Sequence, residues 1–196
     1  MSNRTDDLAP AGAFARLVRK LRYHEASRQV LAVMFIVWFS VTATPTELSL
    51  TLGTPLIVAG TALRLFASGF IAKNRELATD GPYAIVRHPL YTGNIAIVSG
   101  FAIASGQWWA CAVALGFFWF YYPTAVEYED RKLHKLFGDP WLEWAGDVPA
   151  LMPSFRNLGK AVSGGWSFRK SLLKNGEPAI AAIIAACLVT IIRQLP

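Results

Sequence analysis

Residues 89–126 read PLYTGNIAIVSGFAIASGQWWACAVALGFFWFYYPTAV, a stretch without Asp, Glu, Lys or Arg in a chain that is 16% charged and 54% hydrophobic overall. As one helix it would run to roughly 58 Å, about twice a ~30 Å hydrocarbon core, so it must double back. Ser105-Gly106-Gln107 supplies the turn, and Trp108-Trp109 directly after it suit a membrane interface. The stretch therefore predicts a pair of membrane-spanning helices.

Working outward, an apolar run from Gln29 to Ala43 is broken by Thr44-Pro45-Thr46-Glu47 and resumes from Leu48 to Ala72, predicting two more spans. A last apolar segment, Pro178 to Ile192, is closed by Arg193 and is short against the ~20 residues a span usually needs. It reads as an extra C-terminal membrane helix over 178–193, with an interfacial or buried helix as the alternative. The expected fold is all-α: an integral membrane bundle of about five transmembrane helices forming one domain over residues 1–196. The first 28 residues are too polar for the apolar core of a cleavable signal peptide, so the first span is expected to be retained.

Charge sets the expected orientation, because Lys and Arg close to span ends tend to stay cytoplasmic. Arg16, Arg19, Lys20, Arg22 and Arg28 precede the first span; Lys73, Arg75 and Arg87 follow the second; and Arg131, Lys132, Lys135, Arg156, Lys160, Arg169, Lys170 and Lys174 follow the fourth. All three groups fall on one side if the spans alternate. Residues 1–28 and 154–177 then form basic segments at the cytoplasmic face. The net charge of +6 is accounted for by anionic headgroups, with no nucleic-acid partner implied. Cys111 and Cys187 lie inside apolar runs and suggest packing, not a disulfide framework or a thiolate metal site; no metal is expected.

Two polar segments, 73–91 and 127–153, would meet at the cytoplasmic ends of spans. In the first, Gly81-Pro82 marks a turn, and Pro89 holds His88 out of the helical region. Tyr83, His88 and Tyr91 can converge around such a turn, or serve as interface aromatics and headgroup contacts. In the second, a helix over Thr124–Phe137 puts Val126, Glu129, Leu133, Leu136 and Phe137 on one face and Glu127, Arg131, His134 and Lys135 on the other. Glu127 and Arg131 form an ordinary i,i+4 pair. Asp130 stands at the edge of the apolar stripe. Glu129 stands inside it, where a carboxylate needs either an ion-pair partner, such as Arg87, Arg75 or Arg64, or a ligand. Arg64 lies about 13 Å along the helix from Lys73, a depth at which an arginine faces an internal polar cavity more readily than lipid. Trp119, Tyr121 and Tyr122 can line the same cavity, though aromatic packing also accounts for them.

These residues resemble a known family. Arg75-Glu76-Leu77-Ala78-Thr79-Asp80-Gly81-Pro82-Tyr83, Val86-Arg87-His88-Pro89-Leu90-Tyr91-Thr92-Gly93, Glu129-Asp130-Arg131-Lys132-Leu133 with Phe137-Gly138, and Val148-Pro149 are similar to the motifs of the isoprenylcysteine carboxyl methyltransferase and phospholipid methyltransferase superfamily. The resemblance runs from about Gly60 to Pro153, the expected methyltransferase core. It implies integral membrane enzymes that move a methyl group from S-adenosylmethionine to lipid, lipidated or other amphipathic acceptors at the cytoplasmic face. It further implies cofactor contacts at Arg75, Glu76, Leu77, Ala78, Tyr83, His88, Pro89, Leu90, Tyr91, Glu129 and Asp130, where Asp130 replaces the usual second glutamate. Glu129 and Arg87 are the expected catalytic positions, and Arg64 is an expected substrate contact.

The departures from the pattern bear on substrate. Trp141 and Trp144 stand where the family usually has tyrosines, and Ala125 stands where prenylcysteine methyltransferases carry an arginine that holds the substrate carboxylate. The methyl acceptor is therefore left open among prenylcysteine carboxylates, lipid amines and small amphipathic thiols or amines. Two other classes compete: a sterol-reductase-like oxidoreductase using NADPH, and a non-enzymatic membrane subunit with a degenerate cofactor site.

Overall fold

The computed structural model describes residues 12–71, 76–161, 164–174 and 176–196, and the regular structure among them is all helical, as expected. The helices are α1 (Ala13–Arg22), α2 (Glu25–Val41), α3 (Glu47–Ser68), α4 (Pro89–Ala104), α5 (Trp108–Phe137), α6 (Asp139–Asp147), the single turn α7 (Leu158–Ala161) and α8 (Glu177–Ile192). Two 3-10 turns, Gly81–Ala84 and Phe155–Asn157, and a wide π-type turn at Arg169–Lys174 join them.

Local chemistry explains several boundaries. At the start of α3, Thr46 and Ser49 cap each other reciprocally, with backbone-to-hydroxyl bonds of 3.1 and 2.9 Å. Pro89 opens α4 at a position where a missing N–H is harmless and its fixed φ suits the helix. Gly138, at φ +60, ends α5 and turns the chain into α6, a conformation that disfavours any residue with a Cβ.

The apolar runs read as five expected spans fall on α2, α3, α4, α5 and α8. Of these, α3 and α5 are long and apolar enough to cross a membrane unaided, and only 28% and 39% of their most apolar stretches are buried within the protein. Most of that surface faces outward, which a soluble core helix would not tolerate. Val33 and Val37 on α2, Leu52 and Val58 on α3, and Leu115 and Trp119 on α5 are all exposed and form an outer apolar surface. The chain is a membrane protein. The other three helices, with 17, 16 and 16 residues, are shorter, roughly 24–26 Å each. Helix α1 buries nothing: Phe14, Leu17 and Leu21 are exposed one turn apart, a pattern suited to lying along an interface.

The frame of the bundle is the α3–α4 hairpin. A Cβ placed on Gly53 would sit 2.5 Å from the Gly100 carbonyl oxygen, and one on Gly60 would sit 2.7 Å from that of Gly93. The two glycine pairs are seven residues apart on each helix, so one seam brings the backbones together twice. At one end of the bundle the two short turns interlock through Thr44 N–H to the Ser105 carbonyl at 2.8 Å. The polar segments therefore gather at the other end, where α5, at 30 residues and roughly 45 Å, projects past its neighbours.

Candidate functional site

Three segments are tied into a knot at that end. The Arg87 and His88 N–H groups donate to the carbonyls of Pro149 and Ala150 at 2.9 and 3.1 Å, and Ser154 N–H returns a bond to Ile85 at 2.8 Å. The Val148-Pro149 tail thus runs alongside the loop before α4. Thr92 Oγ1 adds a bond to the Leu151 carbonyl at 2.8 Å.

Asp130 is the centre of this knot. Its Oδ2 accepts from Arg87 Nη2 at 3.1 Å, and its Oδ1 lies 2.9 Å from His88 Nε2. Arg87 also donates to the Ala145 carbonyl at 2.9 Å, which fastens α6 to the same point. Charge-assisted bonds in so sheltered a place are among the stronger a protein can make. The two tryptophans that depart from the family pattern belong here. Trp144 Nε1 donates to the Tyr83 carbonyl at 3.1 Å, while Trp141 stacks on His134 and lies 5.9 Å beneath the Arg87 guanidinium.

Beside the knot opens a cavity of about 880 Å³. Of the expected site residues, it is lined by Arg64, Glu76, Leu77, Ala78, Tyr83, Arg87, His88, Pro89, Leu90, Tyr91 and Glu129. Leu133 and Phe137, expected on the face of Glu129, line it as well, whereas Val126 and Leu136 of that expected face do not, and Leu136 is exposed. Asp130, expected to stand beside Glu129 as a second cofactor contact, is absent from the lining; its two oxygens are taken by Arg87 and His88. Arg75 lies outside the described residues.

Glu129 is only loosely engaged. The Lys132 ammonium is 3.5 Å away, and the side chain keeps 30% of its exposure. The expected pairings with Arg87 or Arg64 do not form, because Asp130 takes the first and Glu177 the second. Glu127, on the outer face, has Arg131 at 3.8 Å and accepts a hydrogen bond from the Tyr23 hydroxyl at 3.1 Å. Tyr83 is buried against the cavity, and burial first, then the charge of Glu129, pushes its phenol well above the ordinary tyrosine range. It stays protonated at neutral pH and can donate a hydrogen bond.

The far part of the cavity holds residues that the sequence did not single out. Arg64 is clamped by Glu177 at the start of α8, with Nε and Nη2 at 3.1 and 2.7 Å from the two carboxylate oxygens, and Nη1 bonds Asn94 at 2.6 Å. An arginine set deep in an apolar helix signals a partner, and Glu177 is the sole acid bordering the last apolar run. Arg28 lines the wall next to Tyr91, and Tyr122 faces inward, whereas Trp119 points outward. Aliphatic lining comes from Val30, Val33, Met34 and Ile36 on α2, Ile97 and Val98 on α4, and Ile180, Ile183 and Ile184 on α8, with Glu25 and Gln29 at the start of α2 among the polar members. One chamber therefore joins a carboxylate- and ring-lined end to a long apolar end.

A family model described as phospholipid methyltransferase matches residues 48–140. The chain is 31% identical over 155 residues to the cobalt-zinc-cadmium resistance protein CzcN of Cupriavidus metallidurans, covering 74% of this chain and 70% of that protein. It is 26% identical over 151 residues to the protein-S-isoprenylcysteine O-methyltransferase of Schizosaccharomyces pombe, covering 74% of this chain and 61% of that enzyme. It is also 26% identical over 100 residues to protein-S-isoprenylcysteine O-methyltransferase B of Arabidopsis thaliana, covering 51% of each. No solved structure matches significantly. From the loop before α4 through the projecting end of α5, the matched region carries Arg87, His88 and Asp130 and most of the cavity wall, and the chain belongs to the isoprenylcysteine carboxyl methyltransferase and phospholipid methyltransferase superfamily.

Proposed function

We propose that the protein transfers a methyl group from S-adenosylmethionine to a lipid, lipidated or other amphipathic acceptor, inside this cavity and at the cytoplasmic face. The observation that carries the reading is the two-part chamber: a polar end built from the superfamily's motif residues is continuous with an apolar end between α2, α4 and α8. The chamber is within the ~300–1,000 Å³ typical of small-molecule sites. Its donor set fits the cofactor, since Glu129 and Glu76 can accept from an amino group or from ribose hydroxyls, and a neutral phenol and rings suit a sulfonium.

When bound, the cofactor supplies an electrophilic methyl group that needs no further activation. The chain's own part is to align the acceptor with that group and exclude water. Glu129 holds the polar end of the cofactor, and it can accept the proton that an amine acceptor must shed. A carboxylate or thiolate acceptor needs no such base. The Tyr91 ring already carries the Arg28 guanidinium at 4.8 Å and stacks on His88 at 5.5 Å, so among the motif tyrosines Tyr83 is the one left to face a sulfonium. Arg87 and Asp130 act through position, by holding the loop that presents Tyr83 and His88. The exposed aliphatic residues of α2 and α8 give the acceptor a lateral approach from the bilayer.

The test is direct binding to the full chain in a nonionic detergent. S-adenosylmethionine should saturate a single site, and Glu129→Gln should weaken it without lowering thermal stability. Binding of NADPH in its place, or of neither cofactor, would overturn the reading.

A further inference from the structure

Two arginines face the chamber from its apolar half, and they are answered differently. Arg64 has a carboxylate on its fork. Arg28, on the first turn of α2, is 6% exposed, and its contacts are the Tyr91 hydroxyl at 3.3 Å and the Tyr91 ring. Between described residues the ion pairs are Arg64–Glu177, Arg87–Asp130, His88–Asp130, Arg131–Glu127 and Lys132–Glu129, and Arg28 is in none of them. Glu25, one turn earlier, lines the same chamber and its charge is felt at Tyr91, but it accepts a hydrogen bond from Gln29 and makes no ion pair with Arg28.

A guanidinium withdrawn from water without an anion is unfavourable, and a ring face offsets only part of that loss. The arginine fork matches a carboxylate or phosphate in geometry as well as charge. On the same helix, Val30, Val33 and Met34 continue the wall away from it toward the outer surface. The site thus presents a cation followed by an apolar track. Resting on the methyltransferase reading for what the ligand is used for, we propose that Arg28 selects the acceptor by pairing with a carboxylate or phosphate at the head of an apolar chain that lies along α2 and α8. Arg28 lies before the stretch that the family model matches, so this specificity is the property of the chain's own first span.

The probes are four amphiphiles of one chain length: dodecanoate, dodecyl phosphate, dodecanol and dodecyltrimethylammonium. Their binding to the full chain in a maltoside detergent is followed by isothermal titration, beside a separate titration with S-adenosylmethionine. An acid should bind about tenfold or more tighter than the alcohol, with the ammonium weakest, and which acid binds better identifies the headgroup. Arg28→Gln should abolish the preference, Arg28→Lys should restore part of it, and both should keep cofactor affinity within about twofold. The proposal is overturned if the acids bind no better than the alcohol, or if Arg28→Gln retains the preference. It is equally overturned if Arg28→Gln weakens the cofactor instead, since Arg28 would then serve the cofactor's carboxylate. A wild-type protein that fails to bind S-adenosylmethionine yet shows the Arg28-dependent preference would sink the methyltransferase reading and leave this one standing.

Discussion

Glu129 and Asp130 are neighbours on one helix, yet they belong to different parts of the molecule. Asp130 is spent on structure: Arg87 and His88 take its oxygens, and the loop before α4, the end of α5 and the Val148-Pro149 tail close around it. Glu129 faces the cavity with a single ammonium at 3.5 Å. Both oxygens of Asp130 are already engaged, while Glu129 on the chamber wall is still able to bond. An acidic pair in a motif therefore need not be a pair in function. One carboxylate fixes the wall, and the other faces the cavity beside it.

Substitutions can break this division. Asp130→Ala leaves Arg87 and His88 facing an absent anion, and thermal unfolding in detergent should show a loss of about 3 kcal/mol or more, with cofactor binding lost as a consequence. Glu129→Gln should do the reverse, with cofactor affinity falling about tenfold to a hundredfold, equivalent to ~1.4–2.8 kcal/mol, and little change in apo stability. If Glu129→Gln unfolds the protein, or Asp130→Ala loses binding at unchanged stability, the assignment is inverted. Trp144→Phe removes the indole bond to the Tyr83 carbonyl and should lower stability by ~1 kcal/mol, with a modest rise in cofactor Kd read by titration. Glu127→Ala, on the outer face, should stay within ~0.5 kcal/mol and leave cofactor affinity unchanged. An effect of Glu127→Ala as large as that of Glu129→Gln would mean that α5 is rotated from the orientation described.

The apolar helices were legible because charge is excluded from a hydrocarbon core, and a chain that obeys this writes its helices as charge-free runs. The ends were less so: the second run promised a helix to Ala72, whereas α3 stops at Ser68. The face of Glu129 was legible because Leu133 and Phe137 repeat at four-residue spacing behind it. Asp130 was not. Successive residues on a helix are about 100° apart, so a residue at the edge of a stripe turns either way, and its direction was decided by Arg87 and His88 on a loop far away in the chain. Glu177 and Arg28 escaped for a related reason. Each reads as a charged flank of an apolar run, and only the packing of α8 against α3 and of α2 against α4 brings them to the chamber. The departures at Trp141 and Trp144 likewise had no reading until α6 was seen folded over Arg87.

The paired glycines of α3 and α4 bear on how this chamber holds its shape. Helices in backbone contact at two levels cannot slide or roll without collision, so this hairpin behaves as a fixed post. The far wall is tied to that post as well, because Glu177 at the start of α8 is clamped to Arg64 on α3 and Gln194, just past the end of α8, donates to the Ser40 carbonyl on α2. Displacing α8 from the hairpin would break a sheltered charged pair, so its place is fixed by charge where that of α4 is fixed by sterics.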